Sequence, residues 1–267
     1  MYFDALLHAA ALRAADVEAL RFFGVAGALV PSGDAFHPVT AGALRDHWLA
    51  TAAVARALRA RGLPAWAALG IHPRRIPRRG LAERLADLPE HLSRPEVAAI
   101  GPAGLEEGGP QEEEVFLAQA RLAADLRLPL LVRTAWRARE KQVGRLLTLL
   151  EEVELEPGRV LVSHADARTL PVIRARGHRA LVVMSGRGGV EEAARLVARH
   201  GAAGIVLGSD AGDGGGDPLS LPRAADRLQR AGLSVAVIRR ACLGNALEWL
   251  GLEAEALTPG RARRRGA

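Results

Sequence analysis

Short uninterrupted apolar runs recur along the chain, each followed by a segment in which apolar residues return every three or four positions. The runs are MYFDALLHA, GVAGALVPS, AWAALGIHP, VAAIGPAGL, PLLVRTA, RVLVSHAD, RALVVMSG and GIVLGSDAG. Runs that are apolar on both faces need a sheet covered on both sides, as parallel sheets flanked by helices are. The intervening segments read as those helices. VEEAARLVARHG puts Val190, Ala193, Leu196 and Val197 on one face and stops at a glycine. EEEVFLAQARLAADLR opens with three acids, where the helix dipole favours negative charge. Eight such units in strict alternation predict an α/β fold, a single (β/α)8 barrel, rather than an open sheet. No linker or internal repeat interrupts them, so one domain over residues 1–257 is expected. GDGGGDP at 212–218 reads as a loop, because helical periodicity resumes directly after it.

Composition narrows the class. A chain of 267 residues, 49 % hydrophobic, can bury a core of barrel size. The single cysteine, Cys242 in VIRRACLGNALEWL, excludes an internal disulfide framework and reads as a small core residue. The N-terminus has no basic segment leading into an apolar run, and no stretch approaches about 18 uncharged apolar residues. A soluble, cytoplasmic protein without a membrane partner is expected. The formal net charge is +6, but all of the 36 basic residues except Lys141 are arginine, and part of that excess reflects a GC-rich coding bias. The end, TPGRARRRGA at 258–267, reads as a disordered basic tail able to touch nucleic acid or anionic surfaces.

Chemistry in a barrel of this kind sits where strands end and βα loops begin. The polar residues at those ends are His8, His72, Glu106 and Glu107, Arg133 and Thr134, His164 and Asp166, Ser185, Ser209 and Asp210. One strand-end imidazole is usually a satisfied core group. Several on one rim, with a carboxylate, are what a hydrolytic metal site or an acid–base pair requires. His37, His47, His91, His178 and His200 fall in loops or helices and read as surface residues. Ser185 and Ser209 sit in no G-x-S-x-G elbow, and GDGGG lacks the pattern of a phosphate-binding loop, so nothing points to a nucleotide cofactor.

Six of these segments, MYFDALLHA, ALGIHPRRIP, VAAIGPAGLE, QEEEVFLAQARLAADLRLPLLVRT, VLVSHAD and IVLGSDAG, stand in the order and spacing of the TatD-type metal-dependent hydrolases. The resemblance runs from residue 1 to about 250 and has features of the archaeal-type and EboB-like branches. It implies a barrel related to the amidohydrolases, hydrolysis of phosphodiesters such as DNA or of related esters, and two divalent metals such as zinc, manganese or magnesium. The implied ligands are a His-x-His after strand one, a bridging Glu after strand four, a His after strand five, a His after strand six and an Asp after strand eight. At those positions this chain has Leu6 and His8, Pro102, Arg133, His164 and Asp210.

Leucine and proline side chains carry no donor atom, and a guanidinium repels a divalent cation instead of ligating it. Weak or absent metal binding is therefore expected, with His8, His164 and Asp210 as the metal residues and Asp210 and His164 as the catalytic ones. Glu106 or Glu107 is a candidate replacement ligand. Arg133 with His72, Arg74, Arg75 and Glu106 forms a candidate substrate-binding set for an anion. Three readings follow: a TatD-like hydrolase with a reduced metal site, an inactive relative that binds an anionic ligand or partner, and a metal-independent enzyme using His164 as base. Two geometric expectations accompany them. Pro102 should lie at or beyond the end of its strand, and Arg133 should meet Asp210, Glu106 or a bound anion.

Overall fold

The computed structural model describes residues 1–34, 40–186, 188–213 and 216–258. Most of the expected basic tail, from 259 on, and His37 lie outside the described residues. Eight strands form one parallel sheet in chain order: β1 Tyr2–Asp4, β2 Val25–Pro31, β3 Ala65–Leu69, β4 Val97–Gly104, β5 Leu130–Arg133, β6 Val160–Ser163, β7 Arg179–Val183 and β8 Ile205–Gly208. The helices between them are α1 Ala14–Phe22, α2 Ala41–Ala60, α3 Leu81–Leu92, α4 Pro110–Asp125, α5 Arg139–Glu151, α6 Thr169–Ala175 and α7 Gly189–His200, with α8 Ser220–Arg230 after β8. The sheet closes where β1 and β8 run out: Ala5 N–H donates to Leu207 O (3.4 Å), Asp210 N–H to Leu6 O (2.9 Å) and His8 N–H to Ala211 O (2.8 Å). The eight apolar runs are thus the eight staves of a TIM barrel.

Two apolar cores follow from the two-residue period of a strand. Val160, Val162, Leu130, Val132, Ile205 and Leu207 pack outward beneath the helices. Leu131, Leu161, Leu181, Val206, Phe3 and Trp66 fill the barrel interior. The chain's last helices, α9 Val235–Arg239 and α10 Asn245–Leu250, with a π-helical turn Arg240–Gly244 between them, add Leu243, Leu247 and Leu250 to that inner core. They reach it from the N-terminal end of the barrel, where Asn245 Nδ2 donates to Ala202 O and Ile205 O, each at 2.6 Å. Cys242 is buried in this plug. The opposite, C-terminal mouth is the end at which barrels of this kind carry their sites.

Two expectations are corrected. Pro102 lies inside β4, not at its end, because the register of β4 against β5 shifts between Ile100 and Ala103 and the ladder steps around it. His91 and His178 are buried: His91 of α3 packs 5.4 Å from the Trp48 ring, and His178, in the connection before β7, has Nδ1 3.2 Å from Pro157 O. Among the described residues, no helix is long and apolar enough to cross a membrane.

Candidate active site at the barrel mouth

Side-chain alternation explains why an apolar strand ends in arginine. Leu130 and Val132 of β5 point outward and Leu131 inward, so Arg133, two residues on, shares the inward register at the mouth. β6 repeats the pattern with Leu161 inward and Ser163 above it. The partner of Arg133 on β4 is Gly104, where a Cβ would lie 2.0 Å from the Arg133 carbonyl oxygen, so only glycine allows the strands this approach. Above them opens a cavity of about 150 Å³ whose wall includes His8, His72, Arg133, His164 and Asp210. Leu6, Pro102, Asp34, Asp213 and Trp136 complete most of the lining.

The β1/β8 side is a connected polar structure. His8 Nε2 lies 3.2 Å from Asp210 Oδ1. One ligand atom each of His8, Asp210 and Asp213 falls within 4.8 Å of the other two. Burial opposes ionisation of Asp210, yet the hydrogen bond and charge of His8, with His164 beyond, hold its carboxyl below the usual range. Beneath this group Asp4 is fully buried and accepts from the Leu6 N–H (3.1 Å), the Ser209 N–H (2.9 Å) and the Ser209 hydroxyl. Burial pushes Asp4 up to about 6. The Ser209 hydroxyl oxygen in turn accepts from Ala211 N–H (3.0 Å), so the serine is a clasp at the barrel seam.

The β3 to β6 side is built differently. Burial, with the charges of Arg133 and Arg74, drives His72 down to about 3, against the opposing pull of Asp34. Its Nδ1 accepts the Arg74 N–H at 3.2 Å. His164 is likewise held down to about 3 by burial and by Arg133, and its Nδ1 lies 3.0 Å from the Ser163 hydroxyl. Arg133 is buried and donates to the Thr134 carbonyl, and its guanidinium lies 5.7 Å from the centre of the Trp136 ring. Among the described residues it forms no ion pair; Glu106, Asp34 and Asp210 act on it only through their fields. The expected hydrogen bond to Asp210 or Glu106 is not formed: Asp210 meets His8, and Glu106 meets Arg74 (2.7 Å) through Oε1 while its buried Oε2 has no hydrogen-bond partner among the described residues. Arg74 also reaches Asp34 at 3.4 Å, and Arg75 donates to Asp34 O at 2.6 Å, so these arginines tie loops together. Glu107 is exposed on the loop, and neither glutamate joins the His8–Asp210–Asp213 group.

Backbone geometry marks two of the site residues. His164 and Asp210 both adopt left-handed conformations, with φ of 57° and 58°. A non-glycine residue in this region costs about 1 kcal/mol or more, and such strain collects where a side chain must be aimed at a site. Strand patterns carry no signal of it. Asp4 was overlooked because it sits in an apolar run, Asp213 because it lies in a glycine-rich loop, and Asp34 because it stands apart from any strand-end imidazole. The constellation S-D-A-G-D at 209–213 was the available clue to Asp213.

A parallel barrel with imidazoles and carboxylates gathered at its C-terminal mouth defines the class of metal-dependent hydrolase barrels. Residues 5–197 match the family model described as TatD related DNase, and the chain belongs to that family. It is 27 % identical over 221 residues to an uncharacterized metal-dependent hydrolase of Methanocaldococcus jannaschii, covering 82 % of this chain and 87 % of that protein. The TatD-like protein of Archaeoglobus fulgidus superposes with a TM-score of 0.78 at 25 % identity, over 93 % of this chain and 99 % of the other. A phosphotriesterase homology protein from Escherichia coli, solved with phosphate in its active site, gives 0.71 at 17 % identity over 93 % and 98 %, a likeness of fold.

Proposed function

We propose that this chain is a phosphoester hydrolase of the TatD type that works with one divalent cation, held by His8, Asp210 and Asp213, and with Arg133 as the fixed positive charge opposite. The observation that carries this reading is the grouping of those three ligand atoms within 4.8 Å, on a wall that Leu6, Pro102 and Arg133 complete without any donor for a cation. One imidazole and two carboxylates fit a single zinc or manganese ion, whereas His164 alone beside a guanidinium does not fit a second. When bound, the cation supplies Lewis acidity toward a phosphoryl oxygen. Arg133 contributes its fork to the remaining oxygens and stabilises charge that develops on them. His164 is neutral and, with Nδ1 engaged by Ser163, keeps Nε2 free to orient a water. His72, also neutral, faces the substrate from β3. Asp210 and His164 are thus the catalytic pair, with His72, Arg74, Arg133 and Glu106 on the substrate side. The substrate class is a phosphodiester, nucleic acid included, met in a soluble, cytoplasmic setting by a barrel of residues 1–257.

A binding protein without turnover is the second reading. The buried, unpaired Arg133 favours it, because a fixed cation in the wall lowers affinity for a divalent metal. Calorimetric titration of chelator-treated protein with manganese, beside an assay of bis(p-nitrophenyl) phosphate hydrolysis, separates the two. One ion per chain and metal-dependent hydrolysis are expected, with Asp213→Asn lowering affinity by roughly tenfold or more. Two tightly bound ions would overturn the one-cation reading, and phosphate binding without hydrolysis at any metal concentration would leave the binding protein.

A further inference from the structure

Trp136 stands apart from the other tryptophans. Trp48 and Trp66 are fully buried and Trp249 is 2 % exposed, whereas Trp136 is 52 % exposed. It lies on the partition between two cavities. One is the mouth already described; the other, about 360 Å³, opens between the loops after β5, β6 and β7 and shares Trp136 and His164 with it. The ring is fixed in place: its edge meets the His164 ring at 5.1 Å and 70°, and the guanidiniums of Arg139 and Arg133 lie 5.1 and 5.7 Å from its centre. A large aromatic surface held rigid and half open to solvent at a binding mouth loses little freedom on meeting a ligand.

The charges of the second cavity decide what it can take. Arg139 is paired with Asp166 (3.1 Å) and Arg195 with Glu192 (2.5 Å). Its cations are therefore compensated, unlike Arg133, and the cavity is not a second anion site. What it offers is the exposed part of the Trp136 ring, beside the guanidiniums that lie over it, together with polar edges, Ser185 among them. That combination suits a neutral, planar ring bearing hydrogen-bonding groups.

We infer that Trp136 is a specificity-determining residue: its ring is the platform on which the planar aromatic part of a phosphate ester, a nucleobase, stacks in the second cavity while the phosphate occupies the mouth. For the phosphate half this rests on the proposed function above. The experiment measures binding of inorganic phosphate, ribose 5-phosphate, adenosine 5′-monophosphate and adenosine to the wild type, Trp136→Ala and Trp136→Phe, by calorimetry and, for the wild type, by tryptophan quenching. In the wild type the monophosphate should bind at least about fivefold more tightly than ribose 5-phosphate, the lower range for one stacked base. Trp136→Ala should erase that gap, read as the ratio of the two affinities within the same variant, and Trp136→Phe should restore part of it. A wild type that binds both sugar phosphates equally, or an alanine variant that keeps the gap, overturns the inference. The free nucleoside keeps the two proposals distinguishable: adenosine binding that depends on Trp136, without any binding of phosphate, would sink the anion mouth and support the platform.

Discussion

The two sides of the barrel mouth are made of different materials. On the β1/β8 side His8, Asp210 and Asp213 stand over a buried seam in which Asp4 gathers the Leu6 and Ser209 amides and the Ser209 hydroxyl. On the β4 to β6 side Pro102 offers no donor atom, Arg133 has no ion partner among the described residues, and His164 is kept neutral by burial and that same arginine. His8, His72, Arg133 and Asp210 use inward positions of the same alternation, whereas His164 follows the inward Ser163 and reaches the mouth through its left-handed backbone. One side is a closed hydrogen-bonded network suited to holding a cation. The other keeps Arg133, a buried cation without an ion pair among the described residues, which under the proposed function would meet an anion.

The largest way to break this comparison is to remove the seam. Asp4→Ala leaves two buried N–H groups and a buried hydroxyl without their acceptor, and at about 1 to 3 kcal/mol per unsatisfied group the barrel should lose roughly 3 to 5 kcal/mol. Manganese affinity should fall with it, since Ser209 precedes Asp210. Asp4→Asn retains an acceptor and should cost much less. Urea denaturation of both variants checks this, and equal losses would mean that Asp4 fills volume without organising the seam. The opposite side should respond in the opposite sense. Arg133→Met removes a buried charge that has no ion partner and should leave stability unchanged or raise it by about 1 kcal/mol. Phosphate affinity should drop at least about tenfold, the range of a hydrogen bond to a charged group. If Arg133→Met unfolds more easily than the wild type, the guanidinium holds the fold together and the contrast between the two sides fails.

How much of this was legible in sequence follows from what a two-residue period can carry. It encodes inward and outward positions, and so the barrel and the placing of His8, His72, Arg133 and Asp210 at one mouth could be read; His164 joins them there through its left-handed backbone, which no period encodes. The period does not encode pairing between loops. Arg74 bridges Asp34 and Glu106 from three separate βα connections, and no pattern along the chain links those residues. Nor does it encode twist and register: the shift that takes Pro102 into β4 depends on β5 lying beside it. The same limit hid Asp4, whose polar role exists only because β8 brings Ser209 within reach, and the C-terminal plug, whose leucines face the barrel interior only after closure.

The last effect, read as a slope and not as a loss at one pH, assigns acid sensitivity to a side of the mouth. Burial, with Arg133 and Arg74 adding to it, holds His72 down to about 3, whereas in the unfolded chain a histidine takes up its proton near 6.5. Between those values the unfolded state binds the extra proton and the native state does not. The free energy of unfolding therefore rises as pH increases through this window, and the stability is lost again on acidification from about 6.5 toward 3. One such proton corresponds to a slope of about 1.4 kcal/mol per pH unit. His164, depressed to about 3 for the same reasons, adds a slope of the same sign, so both contributions come from groups facing Arg133. His72→Gln keeps a hydrogen-bond acceptor while removing the titration, and the slope of stability against pH between 4 and 6 should fall by about that one-proton amount. Denaturation curves at four or five pH values measure it. An unchanged slope would mean that His72 protonates in the native mouth as readily as in the unfolded chain, and that neither burial nor the neighbouring arginines hold it neutral.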